Sequence, residues 1–184
     1  MLRAFLKRQI TAMERRYAYD ASYLHDLIAT DPWAALKFGL VASLGHLPGA
    51  PREAHAAAGI CGVLAEDCGP CTQISVDMAL EGGVKPEVLR AILAADPEGM
   101  GPAAWLAYRF AKASLVRDME TADPLRDEIV RRWGKNGLTA IALALTTARL
   151  YPTLKYALGH GKTCSRVVVA GGETPFARPF AEAA

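Results

Sequence analysis

Two cysteines three residues apart, Cys68 and Cys71, are the residues of this chain best suited to chemistry. Their thiols can join in a small disulfide ring and separate again. Pro70 suits the first turn of a helix, and residues 72–80 have the composition to continue it, so both sulfurs are expected at a helix N-terminus. Backbone dipoles and unpaired N–H groups stabilise negative charge there, which lowers a thiol pKa and raises the fraction of reactive thiolate. The spacing therefore predicts a redox-active dithiol.

Two other interpretations of the pair stay open. Cys68 and Cys71 can join His160 and Cys164 in a set of three thiolates and one imidazole, which suits zinc. Helix-breaking glycines flank His160, however, and the second half of this set lacks the spacing of the first, so we expect no metal. Alternatively, both cysteines are small buried residues at a helix start. We expect no cofactor either, since the sequence has no glycine pattern typical of a Rossmann or P-loop site.

The elements that must position these thiols are helices. Prolines at candidate helix starts and glycines at candidate helix ends predict a chain of helices. The predicted helices span 2–28 (with or without a break), 32–45, 51–66, 70–81, 86–95, 102–118, 124–133 and 138–158. Strand-like alternation is nearly absent apart from one β-branched run over 167–169, so the predicted fold class is all-α. The first helix carries an apolar stripe, which we expect to pack on protein rather than on a membrane.

Size, charge and composition restrict the function classes. The 184 residues suffice for one domain with a substantial core or two small subdomains. The net charge of +2 is too small to indicate nucleic-acid binding. The most apolar stretch, 138–158, is interrupted by Arg149, Pro152 and Lys155, so we expect a buried helix and no membrane span. Four cysteines without an N-terminal secretion signal do not indicate a secreted disulfide scaffold, and we expect a cytoplasmic protein.

The tetrapeptide Cys-Gly-Pro-Cys is also the active-site sequence of thioredoxin, but its context here differs. A thioredoxin site follows a buried β-strand, whereas residues 52–66 are alanine-rich and helical in character. Three further segments, 76–93, 106–112 and 148–159, accompany the dithiol. With the Cys-x-x-Cys at the start of a central helix, they resemble the alkylhydroperoxidase D / carboxymuconolactone decarboxylase superfamily over roughly residues 51–160.

The resemblance implies an architecture and an activity. It implies an all-α helical core over 51–160, and the residues outside that range predict an N-terminal helical extension over 1–50 and a short extended arm over 161–184. It implies a homo-oligomer that reduces small-molecule hydroperoxides and is regenerated by an external thiol or dithiol reductant. In the peroxidase members the second cysteine attacks the peroxide and the first resolves the product, which assigns these roles to Cys71 and Cys68. A thioredoxin-like mechanism would reverse them.

The chain departs from the proton relay of those peroxidases. Their histidine, four residues after the second cysteine, is replaced by Ser75, whose hydroxyl is no base near neutral pH. Their glutamate, twelve residues before the first cysteine, is replaced by Ala56. The candidate substitute bases are Glu66, close to the cysteines in sequence, His55 on the preceding helix, and His160, which only the fold could bring near. For each of them we favour a solvated charge or a hydrogen-bonded surface histidine over a catalytic base. The candidate catalytic residues are Cys68, Cys71, Glu66, Ser75 and His55.

Apolar residues near the dithiol suggest the kind of peroxide. They are expected to form walls that suit an organic hydroperoxide better than a highly polar substrate. The residues concerned are Ile60, Val63, Leu64, Ile74 and Met78.

Overall fold

The computed structural model describes residues 1–161 and 166–176, and it confirms the all-α class. Its helices are α1 (Leu2–Tyr17), α2 (Ser22–Thr30), α3 (Pro32–Ser43), a short 3-10 turn (Leu44–His46), α4 (Arg52–Ala65), α5 (Gly69–Glu81), α6 (Pro86–Ala94), α7 (Pro97–Leu115), α8 (Met119–Ala148) and α9 (Leu150–Ala157). Two short strands, β1 (Arg166–Val169) and β2 (Gly172–Pro175), pair antiparallel. Among the described residues, no helix combines the length and the apolar composition needed to cross a membrane.

Helix ends follow local chemistry, and several differ from the predicted ones. The predicted helix 2–28 is broken by Ala18, which adopts a left-handed conformation with φ 47°. α7 begins at Pro97, five residues before the predicted start, because the Asp96 carboxylate accepts hydrogen bonds from the backbone N–H groups of Glu98 and Gly99. The kink that the Gly101-Pro102 pair produces lies inside this helix, with φ 70° at Gly101.

The last two predicted helices are also divided differently. α8 begins at Met119, where the Asp118 carboxylate accepts a hydrogen bond from the Thr121 N–H, and it is interrupted at Gly134, a non-helical residue with φ 69°. The predicted helix 138–158 is split at Arg149 into the end of α8 and the separate α9. The predicted breaks at Gly101 and Gly134 are therefore present, and the difference lies in the helical turns that precede Pro102 and Pro124.

α4 lies at the centre of the core. It packs against α5, α6, α7 and α8, and most of its residues are buried. The α4–α8 contact is close because Gly62 has no side chain: a Cβ there would lie 2.8 Å from the Leu145 carbonyl oxygen. The end of α4 and the start of α5, which carry the cysteines, are thus fixed against α8.

The N-terminal helices pack on α5 and α9. Glu81 at the end of α5 accepts two hydrogen bonds from the Arg16 guanidinium, each of 2.9 Å, and one of 2.6 Å from the Tyr17 hydroxyl. Part of the apolar stripe on α1, at Ile10 and Met13, packs on a second apolar cluster that includes residues of α2 and α9. This contact brings the turn between α1 and α2 to the face of α5.

The hairpin of β1 and β2 forms the described part of the predicted C-terminal arm, whose residues 162–165 and 177–184 lie outside the described ranges. The side-chain amide of Gln73 in α5 makes two hydrogen bonds with the backbone of Val168. Its Nε2 donates to the carbonyl oxygen over 2.9 Å, and its Oε1 accepts from the N–H over 2.7 Å. Val167 and Val169 are buried in the main core cluster. The β-branched strand β1 therefore packs on α5 and α6.

Candidate functional site

Cys68 and Cys71 are joined in a disulfide, with their Cα atoms 5.3 Å apart. This separation is within the usual range for disulfides, about 4.4–6.8 Å. Asp67 turns the chain out of α4 with a left-handed φ of 48°, and Cys68 is the extended residue at the N-cap of α5. Pro70 stands in the first turn of α5, where its missing N–H costs no hydrogen bond. The two sulfurs thus lie at a helix N-terminus, as the spacing predicted.

The disulfide is almost completely buried. Cys68 is 1% exposed and Cys71 2% exposed, and both pack with Val63 of α4 and Ala148 of α8. A groove of about 850 Å³ runs between α7, α8 and α9 and is lined in part by Arg149. The residues that line it include Arg149, which follows Ala148 in the chain, but neither of the two cysteines.

A tyrosine reaches Cys71 from the N-terminal segment. The Tyr19 hydroxyl oxygen lies 3.7 Å from the Cys71 sulfur and 3.1 Å from the Tyr23 hydroxyl oxygen. Lys155 of α9 is fully buried beside both rings, with its Nζ 4.8 Å from the Tyr19 ring centre and 5.5 Å from that of Tyr23. Its Nζ also lies 3.4 Å from the Asp20 carbonyl oxygen, which accepts a hydrogen bond from it.

Burial keeps these phenols protonated. It raises the pKa of Tyr19, Tyr23 and Tyr151, because the charged phenolate is disfavoured away from water. Sequence reasoning did not single out Tyr19, Tyr23 or Lys155 as site residues. Tyr19 is 52 residues from Cys71, and no local spacing connects them. The available signal was Lys155, a charged residue in an apolar stretch, which was considered only as an obstacle to a membrane span.

Glu66 is placed near the dithiol in sequence but is held by an ion pair. Its Oε1 accepts a hydrogen bond of 2.5 Å from Arg149 Nε, and its Oε2 lies 3.4 Å from the Thr153 hydroxyl. These contacts tie the end of α4 to α8 and α9. The carboxylate is therefore occupied by two partners that are not thiols.

His55 lies at the other end of α4. Its ring centre is 6.4 Å from that of His46, and it forms a backbone hydrogen bond with Gly45. Burial is the main cause of a lowered His55 pKa, to which the neighbouring His46 adds. Eight residues of helix, about 12 Å, separate it from Val63 beside the cysteines. The structure does not bring His55 to the dithiol.

Ser75 is one turn after Cys71, and its hydroxyl donates a hydrogen bond of 2.9 Å to the Cys71 carbonyl oxygen. Thr72 does the same to the Cys68 carbonyl oxygen, also over 2.9 Å. Both hydroxyl protons are thus used by the backbone of α5. Ala56, at the position of the family glutamate, packs against the main core cluster.

His160 contacts α2 rather than the cysteines. Its Nδ1 lies 3.1 Å from the Ser22 hydroxyl and its Nε2 3.1 Å from an Asp26 carboxylate oxygen. Cys164, the fourth member of the possible zinc set, lies outside the described residues, and within those described no three metal-ligating side chains come together. Cys61 is a free, buried thiol whose pKa is raised by burial to about 12.

Comparison of the chain with protein-family models, with curated proteins and with solved structures finds no match.

Proposed function

We propose that this protein is a thiol–disulfide oxidoreductase similar to alkylhydroperoxidase D. It would reduce small hydroperoxides through Cys68 and Cys71 and be regenerated by an external thiol or dithiol. The observation that carries the proposal is the disulfide between these residues at the start of α5, within an all-helical fold. A pair that closes across one helical turn at a helix N-terminus has a stabilised thiolate and a resolving thiol within reach.

The proposed cycle moves two electrons from a dithiol to the peroxide. The Cys71 thiolate attacks one peroxide oxygen and the O–O bond breaks, which leaves a sulfenic acid on Cys71 and an alkoxide that takes up a proton. The Cys68 thiol condenses with the sulfenic acid, forming the disulfide and releasing water. An external dithiol then reduces the pair by two exchange steps and is itself oxidised to a disulfide.

The surroundings of the pair support an apolar substrate. Val63 and Ala148 pack directly on the cysteines, and Ile60 and Leu64 are buried on the same helix. Apolar side chains of this kind would contact the alkyl part of an organic hydroperoxide more favourably than a highly polar peroxide.

Burial of the disulfide favours a second candidate function. A helical binding or assembly protein needs the cysteines only as a crosslink, and the nearly complete burial of both residues agrees with that role. The two candidates differ in whether the disulfide opens in the folded protein. A working dithiol must exchange with external thiols, whereas a structural crosslink resists them.

The oligomeric state and the location belong to the proposal as well. α3 leaves large apolar side chains exposed on its outer face, notably Trp33, Leu40 and Val41, which supports association with a second copy of the chain. A cycling dithiol also agrees with a cytoplasmic location, because disulfides there are usually transient and catalytic. Sedimentation analysis would test the first of these proposals.

Turnover of cumene hydroperoxide with dithiothreitol tests the proposed activity. We expect Cys71→Ser to reduce turnover to the background rate of the reductant, because it removes the attacking thiolate. Cys68→Ser should slow turnover, because the sulfenic acid on Cys71 must then react with an external thiol. Cys61→Ser is the matched control: this third cysteine is buried in the core with a raised pKa, so its loss should leave turnover unchanged.

Thiol counting on the folded protein separates the two candidate functions. We expect the Cys68–Cys71 disulfide to open with dithiothreitol and to reform with one equivalent of peroxide. Turnover that persists in both serine variants would show that the peroxidase proposal is wrong. A disulfide that resists the reductant until the protein unfolds would establish the structural role instead.

A further inference from the structure

We propose that Tyr19 donates a hydrogen bond to the Cys71 sulfur and thereby makes Cys71 the stabilised thiolate of the pair. This inference rests on the proposed function and deepens it, since it assigns the two cysteines their different roles. Ser75 of α5 and Ala56 of α4 replace the histidine and glutamate of the peroxidases that the chain resembles. A polar group that contacts the attacking sulfur comes instead from the N-terminal segment.

The position of Tyr19 is determined by structure on both sides of it. It follows α1, whose last turn is attached to Glu81 of α5 through Arg16 and Tyr17. It precedes α2, and its own side chain is 7% exposed. The 3.7 Å between its hydroxyl oxygen and the Cys71 sulfur is a normal distance for a hydrogen bond to sulfur, which is larger and more diffuse than oxygen.

The direction of this hydrogen bond follows from the chemistry of the thiolate. A thiolate carries no proton and can only accept, so the Tyr19 hydroxyl must donate to it. The Tyr19 oxygen is then free to accept from the Tyr23 hydroxyl 3.1 Å away. Both phenols are buried and keep their protons at neutral pH, so the chain of donors from Tyr23 to Tyr19 to Cys71 is maintained.

Other titratable groups surround the hydrogen bonds from Tyr23 to Tyr19 and from Tyr19 to Cys71. From α9, Tyr151 packs on the cluster and Lys155 Nζ lies over both tyrosine rings in the geometry of a cation–π contact. From the α1–α2 turn comes Asp20, whose carbonyl oxygen binds Lys155. His160 and Asp26 pair beside Tyr23, and Glu66 and Arg149 pair on the α4–α8 side.

The same contact makes the two sulfurs of the disulfide chemically different, so that one is attacked and the other leaves. Within the described residues a side-chain hydrogen bond reaches the sulfur of Cys71 and none is found at that of Cys68. When an external thiolate attacks, the better leaving group is the stabilised sulfur. The incoming sulfur therefore bonds to Cys68, the S–S bond breaks, and its electron pair leaves with Cys71 as a thiolate. A second thiolate of the reductant then releases Cys68.

The pH dependence of alkylation tests the inference. In reduced protein carrying Cys68→Ser, Cys71 is the remaining thiol of the pair, and its modification by iodoacetamide can be located by peptide mass spectrometry. We expect an apparent pKa below the free value of about 8.5. Adding Tyr19→Phe should slow alkylation at pH 7 about tenfold, since a hydrogen bond to a charged group is lost.

Tyr108→Phe is the matched control. Tyr108 is also a buried phenol with a raised pKa, and it lies near a different cysteine, Cys61. We expect this variant to leave the Cys71 profile unchanged. Tyr23→Phe removes only the donor behind Tyr19 and should slow alkylation by a smaller factor, which keeps the test informative if Tyr19→Phe does not fold.

Three results would overturn the inference. They are an unchanged Cys71 profile in both Tyr19→Phe and Tyr23→Phe, an equal slowing in Tyr108→Phe, and a lower pKa for Cys68, measured with Cys71→Ser, than for Cys71. Failure of the proposed function is a different observation, namely that the wild-type pair does not cycle between dithiol and disulfide. If the pair cycles and Tyr19 has no effect, only the inference is wrong.

Discussion

Several titratable side chains in this protein are buried, and burial shifts their pKa values. The clearest case outside the dithiol is His55, whose Nε2 is buried and has no hydrogen-bond partner among the described residues. Burial and the nearby His46 both lower its pKa, because they disfavour the imidazolium. Folding therefore works against protonation of this ring.

The lowered His55 pKa predicts how stability depends on pH. Below about pH 6.5 the unfolded chain protonates this histidine while the folded protein resists, so the unfolded state binds more protons. The free energy of unfolding should therefore fall as the pH decreases from about 6.5 through the lowered folded-state pKa. Urea denaturation between pH 5 and 8 measures this slope. His55→Gln should flatten it, whereas His25→Gln, which changes a partly exposed histidine paired with Glu14, should keep the His55 contribution. An equal slope in His55→Gln and wild type would contradict the assignment.

At the scale of elements, two glycines of α4 have opposite surroundings. A Cβ on Gly62 would lie 2.8 Å from the Leu145 carbonyl oxygen and 3.3 Å from the Ala148 Cβ, both in α8. A Cβ on Gly59 would meet nothing within 4 Å. Since both residues are in the same helix, an alanine at each position distinguishes the free-energy cost of a clash between α4 and α8 from the gain due to the higher helix propensity of alanine.

We therefore expect Gly62→Ala and Gly59→Ala to change stability in opposite directions. Gly62→Ala must push α4 away from α8 and should lower the free energy of unfolding by about 1–3 kcal/mol. Gly59→Ala should raise it by up to about 1 kcal/mol, because alanine loses less backbone entropy in a helix. Urea denaturation measures both. Equal effects of the two variants would show that the α4–α8 approach is not tight.

At the scale of the whole molecule, the disulfide closes a very short loop. Cys68 and Cys71 are separated by three positions, so the crosslink restricts the unfolded chain only slightly. Loop-closure entropy gives about 2 kcal/mol for a ring of this size. The large helical core, and not the crosslink, must then provide most of the stability.

Reduction should consequently lower the melting temperature without unfolding the protein. For a chain of this length, about 2 kcal/mol corresponds to a decrease of about 4–8 °C. Thermal denaturation followed by circular dichroism, with and without dithiothreitol, measures the shift. The double variant Cys68→Ser, Cys71→Ser should melt at the same temperature in both conditions. Loss of helical signal at 25 °C upon reduction would contradict the expectation.

The sequence by itself determined the all-α class and the placement of the dithiol at a helix start. Both depend on local chemistry, namely helix-starting prolines, the near absence of strand alternation, and two cysteines one turn apart. The sequence marked the breaks at Gly101 and Gly134, which are non-helical, but it did not predict the helical turns before Pro102 and Pro124. Those turns begin where the Asp96 and Asp118 carboxylates accept hydrogen bonds from backbone N–H groups.

Only the tertiary structure decided what surrounds the thiols. It placed Glu66 in an ion pair with Arg149, directed the Ser75 hydroxyl to the backbone, and kept His55 at the far end of α4. It also brought Tyr19 to Cys71 from 52 residues away. No periodicity records such a contact, because it arises from the packing of α1 and α2 against α5 and α9, in which burial of apolar faces sets where the polar groups meet.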